Sequence, residues 1–297
     1  LDPGHMSPML YSALMLTGRF TMEELKDFRQ WGSPTTGHPE RCVARGIENT
    51  SGPLGQGHTY AVGAAIAAKA LYARTGCPGF KREKIYAYIS DGGIQEEISQ
   101  GAGRIAGHLG LDNLIMFFDS NSIQLSTPTS DVISEDTKLK YEAWNWFVLE
   151  IDGNDPDQIR EALVKANEES ARPTLIIGHT VMGKGARKAD GSRYENGTNT
   201  HGAPLGADNY KATMEHLGAA EDPFSVFPEV EALYEERLNE LREEVSKLRA
   251  EDDAWAKSNP EKANSIKDWF ADKLPELPWD DIKQKSGAAT RVGSATV

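Results

Sequence analysis

Asp91 opens the run Asp91-Gly92-Gly93, and Asn121 follows it thirty residues later. Each stands at the expected carboxyl end of a strand, over 84–91 (KIYAYISD) and 113–119 (NLIMFFD). Open α/β sheets bind ligands at the carboxyl ends of adjacent parallel strands. A carboxylate, an amide oxygen and a nearby backbone carbonyl form a hard-oxygen set for Mg²⁺ or Ca²⁺, the usual companions of a phosphate ligand. Gly92 and Gly93 leave the N–H groups of a helix start open to an anion. An Asp-Gly after a strand is more often a helix cap or turn. The asparagine at the second strand end tips the reading toward a ligand.

Histidines add a second signal. His5, His38, His58 and His201, four of the seven in the chain, each adjoin a glycine in an expected loop. A loop imidazole can hydrogen-bond a phosphate or a substrate hydroxyl, or move protons near pH 7; any single one is more often an ordinary loop or capping residue. His108 and His216 read as structural. The segment from Asn49 to Gly57 (NTSGPLGQG) packs three glycines and a proline just before a helix, a build for close backbone contact with a flat or phosphorylated ligand.

The elements that position these residues follow from apolar spacing. A helical stretch from about Ile94 to Leu109 separates the first two strands, and a third apolar run, Thr174 to Val181, follows an expected helix at Pro156 to Ala171. Strands joined by helical crossovers make a parallel sheet, so the fold class is α/β, a mainly parallel sheet sandwiched by helices. The helix at Gln56 to Arg74 is rich in Ala and Gly, which suits tight core packing. After about Pro228 the composition changes. Ten acidic and four basic residues between Glu229 and Asp253 surround a seam of Tyr234, Leu238, Leu241, Val245 and Leu248, the spacing of an amphipathic helix laid on a globular surface. From Asp252 onward Pro260, Pro275 and Pro278 are expected to break a polar linker into short pieces. The division expected is a ligand-binding domain at 1–228, an acidic helical linker at 229–285 and the start of another domain at 286–297.

Composition excludes several classes. Of 297 residues 26% are charged and 39% apolar, enough for a sizeable core, and the net charge of −13 with no basic block argues against nucleic-acid binding. The small-apolar stretch Ala61 to Leu71 is too short for a membrane span. Cys42 and Cys77 lack paired spacing, which excludes a disulfide framework and points to a reducing cytoplasm. The chain opens Leu1-Asp2-Pro3 without an initiator Met or a secretory leader, so its true beginning is expected upstream.

Taken together, these segments resemble the diphosphate-binding half of transketolase. The matching pieces are PGHMSPMLYSALMLTG (3–18), FRQWGSPTTGHPE (28–40), TSGPLGQG (50–57), SDGGIQEE (90–97), AGHLGLDNLIMFFDSNSIQL (106–125), YEAWNWFVLEIDGND (141–155), RPTLIIGHTVMGKG (172–185) and HGAPLG (201–206). SGAATRVGSATV (286–297) looks like the entry into that family's pyrimidine-binding domain.

The resemblance implies thiamin diphosphate as cofactor with Mg²⁺ or Ca²⁺, the metal held by Asp91, Asn121 and the carbonyl of Ile123. It implies that Gly92, His5 and His201 approach the diphosphate and that Gly52, Pro53 and Leu54 meet the cofactor's rings. His38 and His201, with His5, would face substrate. Glu96, counted with the cofactor positions, matches an acidic residue of a carboxylate network between subunits. The implied activity is transfer of a two-carbon ketol unit between sugar phosphates in the pentose phosphate pathway, by a homodimer or with a pyrimidine-domain subunit. The glutamate that activates the cofactor, and the first helices with a further substrate-facing histidine, would lie outside these residues. Three departures stand out: Ser90 replaces the family's Gly before the motif Asp, Glu97 replaces Gly after the acidic residue, and the loop at 186–199 is long and polar. A deoxyxylulose phosphate synthase, a dihydroxyacetone synthase and an inactive stable fragment remain alternatives; GHPE with HGAPLG favours transketolase.

Overall fold

The computed structural model describes residues 1–220 and 222–271, together with Glu276, Ser286, Gly287 and Val292. The expected strands form as β1 (Ile85–Ser90), β2 (Leu114–Ser120) and β4 (Thr174–His179). The sequence reading missed a further strand, β3 (Phe147–Asp152), which is half-exposed at one edge and lacks the dense apolar run of the others. All pairings are parallel, in the order β1-β2-β4-β3. The buried central strands β2 and β4 carry nearly unbroken apolar runs, as a sheet covered on both faces requires.

Alternation along β2 decides which residues meet which layer. Leu114, Met116 and Phe118 join Leu175 and Ile177 in a core that includes Ala61, Ala65, Ala102 and Ala106. Those alanines lie on α3 (Gln56–Thr75) and α6 (Glu97–Leu109), which follow α1 (Ser7–Leu16), α2 (Met22–Lys26), α4 (Pro78–Arg82) and α5 (Asp91–Gln95) in the element order. Ile115 and Ile176 face the opposite layer, against Ala162 and Ala166 of α8 (Pro156–Glu168), which comes after α7 (Thr137–Ala143). Each fully buried Leu, Ile or Phe contributes about 1.5–3 kcal/mol of transfer free energy.

Local sequence sets the helix ends. Asp155 accepts from the N–H groups of Asp157 and Gln158, and Pro156 takes the first helical position of α8, where no N–H is needed. The single helix expected from Ile94 to Leu109 is two: Glu96 adopts extended φ −61°, ψ 135° between α5 and α6. Gly107 on α6 permits a close crossing, since a Cβ there would overlap the carbonyl oxygen of Trp144. One turn away the indole Nε1 of Trp146 donates to Gly103 O at 2.8 Å.

Beyond α9 (Ala207–Leu217), the composition change at 228 coincides with the start of α10 (Pro228–Ser258). Its Tyr234 and Leu238 line a groove with Met15 and Leu16 of α1, whereas Leu241 and Val245 remain exposed. The apolar seam is thus partly covered at Tyr234, Leu238 and Leu248 and open between them at Leu241 and Val245. The chain divides into compact units Leu1–Leu248 and Arg249–Val297, so the division falls inside α10. Pro260, expected to break the linker, follows the non-helical Asn259 that ends α10 and opens α11 (Pro260–Phe270) from its first position. Pro275, Pro278 and most of 286–297, read as the start of another domain, lie outside the described residues. Among the described residues no helix is long and apolar enough to cross a membrane.

Candidate functional site

Ser90 of β1 pairs with Asp119 of β2, so the two strand exits lie side by side. Asp91, expected as the last strand residue, is the first residue of α5 and is buried. Its Oδ2 accepts from the N–H groups of Asn121 at 2.9 Å and Ser122 at 3.0 Å, tying one exit to the other. Oδ1 is left for another partner. Asn121 Oδ1 accepts from Ile123 N at 3.0 Å, around a Ser122 with φ 63°. That left-handed conformation costs a non-glycine residue roughly 1–2 kcal/mol, and strain of this kind collects at ligand sites. Burial, with Asp119 adding to it, pushes the Asp91 carboxyl up to about 6 against the two hydrogen bonds that lower it.

Asp119 is the second buried acid of the floor. The Tyr88 hydroxyl donates to its Oδ2 at 2.8 Å and the Thr180 hydroxyl donates to Oδ1, so both its oxygens are engaged. Burial first, then Asp119, hold the Tyr88 phenol far above its ordinary range, which keeps it a proton donor. The Tyr88 ring stacks on Phe117 with centroids 5.4 Å apart. These groups wall an open cavity of about 1170 Å³ over the strand ends.

His5 and His201 meet across this cavity, ring centroids 5.5 Å apart. His5 falls below its ordinary imidazole value through burial, then through His201 and His38 nearby, with Asp119 opposing; it is therefore neutral at pH 7. Among the described residues, none is a hydrogen-bond partner of the buried His201 Nδ1. The glycine-rich loop is anchored by Asp2, whose carboxylate accepts from Gly55 N at 3.1 Å and Gly57 N at 2.8 Å. Asp2 thereby takes up free N–H groups at the start of α3 from a distance of more than fifty residues along the chain, the work an N-cap side chain does locally. Gly55 holds φ 85°, and a Cβ there would come within 2.8 Å of the Glu96 Cβ.

Of the residues singled out from sequence, His5, Leu54, Asp91, Gly92, Asn121, Ile123 and His201 converge on the cavity. His38, Gly52, Pro53 and Glu96 are not among its lining residues. His38 is exposed and lies against Gly52, whose Cβ would sit 3.6 Å from its ring. Glu96 is exposed at the break between α5 and α6. His58, expected in a loop, is instead fully buried near the start of α3 beside Trp146. Sequence reading missed Asp2, Tyr88, Phe117, Asp119 and Thr180. Asp119 had a signal, an acid closing an apolar strand run two positions before Asn121; Asp2 and Thr180 had none.

The family described as "Transketolase, thiamine diphosphate binding domain" matches residues 1–275. Transketolase 1 of Vibrio cholerae is 40% identical over 93% of this chain and 41% of its own length. A Staphylococcus aureus transketolase is 38% identical over the whole chain and 45% of its own length. Among solved structures, transketolase from Leishmania mexicana superposes with a TM-score of 0.89 at 32% identity, covering 99% of this chain and 45% of that one. A Pichia stipitis transketolase mutant in complex with fructose 6-phosphate gives 0.84 at 33% identity, over 95% of this chain and 42% of the other. The chain spans less than half the length of the relatives it matches. With its sheet order, its strand-end acids and the matched region in hand, the chain belongs to the transketolase thiamine diphosphate binding domain family.

Proposed function

We propose that this chain supplies the diphosphate-holding half of a transketolase, which moves a two-carbon ketol unit from a ketose phosphate to an aldose phosphate. The observation that carries it is the meeting of Asp91, Asn121, Ile123, His5 and His201 at one cavity over the β1 and β2 exits. The donor set fits a hard divalent cation, Mg²⁺ or Ca²⁺. Asp91 Oδ1 receives neither of the bonds that Oδ2 accepts, and two buried carboxylates share the floor. Among the described residues no three His, Cys, Asp or Glu side chains gather as a metal cluster. The Asn121 amide, the Ile123 carbonyl and the ligand's own oxygens would therefore complete the shell. The orphaned His201 Nδ1 suits a diphosphate or hydroxyl group that satisfies it.

Bound thiamin diphosphate supplies the electron sink for the carbanion left when a ketose C2–C3 bond breaks. Around it, Asp91, Asn121 and Ile123 would hold the cation, while Gly92, packed so closely on Leu54 that a Cβ would come within 2.8 Å of its Cδ1, would offer its backbone N–H to the diphosphate. Leu54, with Gly52 and Pro53, would shield the rings. Neutral His5 would accept a proton from a substrate hydroxyl and, once protonated, return it, with His201 and the more peripheral His38 orienting the sugar. The remaining part of the site, with its activating glutamate, would come from a pyrimidine-binding half, in a homodimer or a separate subunit, where Glu96 would meet its partner. Unbridged Cys42 and Cys77 suit a cytoplasmic setting. Calorimetry of thiamin diphosphate binding with and without Mg²⁺ tests the assignment. Asp91→Ala should lower metal-dependent affinity by tens of fold; unchanged affinity in that variant would refute it.

A further inference from the structure

The loop between β4 and α9 carries His201, and its two flanks converge on one side chain, Arg187. On the upstream flank, residues 182–196 fold back on themselves. Tyr194 N donates to Ala186 O at 3.0 Å and Asn196 N donates to Met182 O at 2.8 Å. Arg187 Nη1 donates to Glu195 Oε1 at 2.8 Å, and the same oxygen accepts from Gly185 N at 2.9 Å. Both side chains of the pair are only 15% exposed, and the guanidinium holds the Glu195 carboxyl below its ordinary value.

On the downstream flank, Arg187 N donates to Thr213 Oγ1 at 2.9 Å, and the hydroxyl returns a bond to Arg187 O at 3.3 Å. Arg187 Nη2 donates to His216 Nε2 at 2.6 Å. A guanidinium can only donate, so His216 Nε2 is the acceptor of this contact. Thr213 and His216 belong to α9, which begins five residues after His201-Gly202. Arg187 therefore closes a ring around 197–206. Inside it, Gly183 packs against Thr200, where a Cβ would lie 3.3 Å from the Thr200 Cβ. Met182, Gly183, His201 and Gly202 all line the cavity.

We infer that Arg187, through Glu195 on one side and Thr213 with His216 on the other, is the positioning residue that presents His201 to the diphosphate and substrate. This rests on the role proposed for His201. Arg187 does not line the cavity, and its action passes through the backbone it clamps. The planar fork matters, because it reaches an acid and an imidazole at once.

Hydrogen exchange on the ligand-free full chain and calorimetry with thiamin diphosphate and Mg²⁺ form the test, using Arg187→Met, His201→Ala and the double variant. Arg187→Met should speed exchange of the 197–202 amides about tenfold while the β1 and β2 amides stay protected. It should weaken cofactor binding about tenfold, the size expected of an outer-shell partner. The double variant should bind as weakly as His201→Ala alone, because the clamp acts only through that histidine. Glu195→Gln, which keeps an acceptor for Gly185 N, should show the same pattern at a few-fold size and decides the matter if Arg187→Met does not fold. Unchanged loop exchange, or fully additive losses of affinity, would overturn the inference. If the wild-type chain fails to bind the cofactor, the functional proposal falls, and exchange still decides the clamp.

Discussion

Replacing His58 with Leu tests how the scaffold under the glycine-rich loop responds to pH. The imidazole is fully buried on α3, next to Trp146, and neither ring nitrogen has a hydrogen-bond partner. Burial lowers it from 6.5 to about 4. A proton therefore binds the unfolded chain more readily than the folded one between those values. The neutral group's contribution is complete above pH 6.5 and is lost as pH falls toward 4. Each pH unit between folded and unfolded values corresponds to about 1.4 kcal/mol, so the whole window costs about 3 kcal/mol, of which about 2 kcal/mol separates pH 7 from pH 4.5. His58→Leu removes this limb and also relieves two unpaired polar nitrogens, each worth about 1–3 kcal/mol when buried. Urea unfolding of both proteins at pH 7 and pH 4.5 reads the effect. The variant should be the more stable at both, by about 2 kcal/mol more at the lower pH. Taking the difference between the two proteins cancels the opposite slopes of Asp2 and Asp91, whose carboxyls are raised. Equal losses of stability in the two proteins on acidification would refute the reasoning.

Gly93→Ala should loosen the glycine-rich loop, since the new Cβ would overlap Asp2 Oδ2, the oxygen that accepts from Gly55 N; weaker thiamin diphosphate binding with an intact circular-dichroism spectrum is the expected result, and unchanged binding counts against it. The chain alone should show negligible ketol transfer, and adding a pyrimidine-binding half should restore formation of sedoheptulose 7-phosphate from xylulose 5-phosphate and ribose 5-phosphate, far less so with His201→Ala. Substantial turnover by the chain alone would show that the site is complete within it. The exposed Tyr60 and Ile66 on α3 and Ile98 and Ile105 on α6 should drive self-association or pairing with a complementary half; light scattering that finds a clean monomer at tens of micromolar would contradict this.

The sequence by itself determined the chemistry on offer and the class of scaffold. Apolar runs ending in Asp91 and just short of Asn121 placed two polar side chains at strand exits, because parallel strands buried on both faces must be apolar until they leave the sheet. The helix expected at 56–74 was legible from its small residues, and it forms as Gln56–Thr75. Half-exposed β3 was not legible, since edge burial demands less apolar character, and the break at Glu96 was not, since no proline or capping residue announces it. Tertiary structure alone decided which distant groups complete the site. Asp2 reaches the start of α3, Thr180 and Tyr88 engage Asp119, and Arg187 spans from Glu195 to His216. These contacts depend on strand order and loop path, and a linear pattern holds no record of either. His58 shows the same limit in reverse: a glycine neighbour suggested a loop, but desolvation by the packed core decides its chemistry.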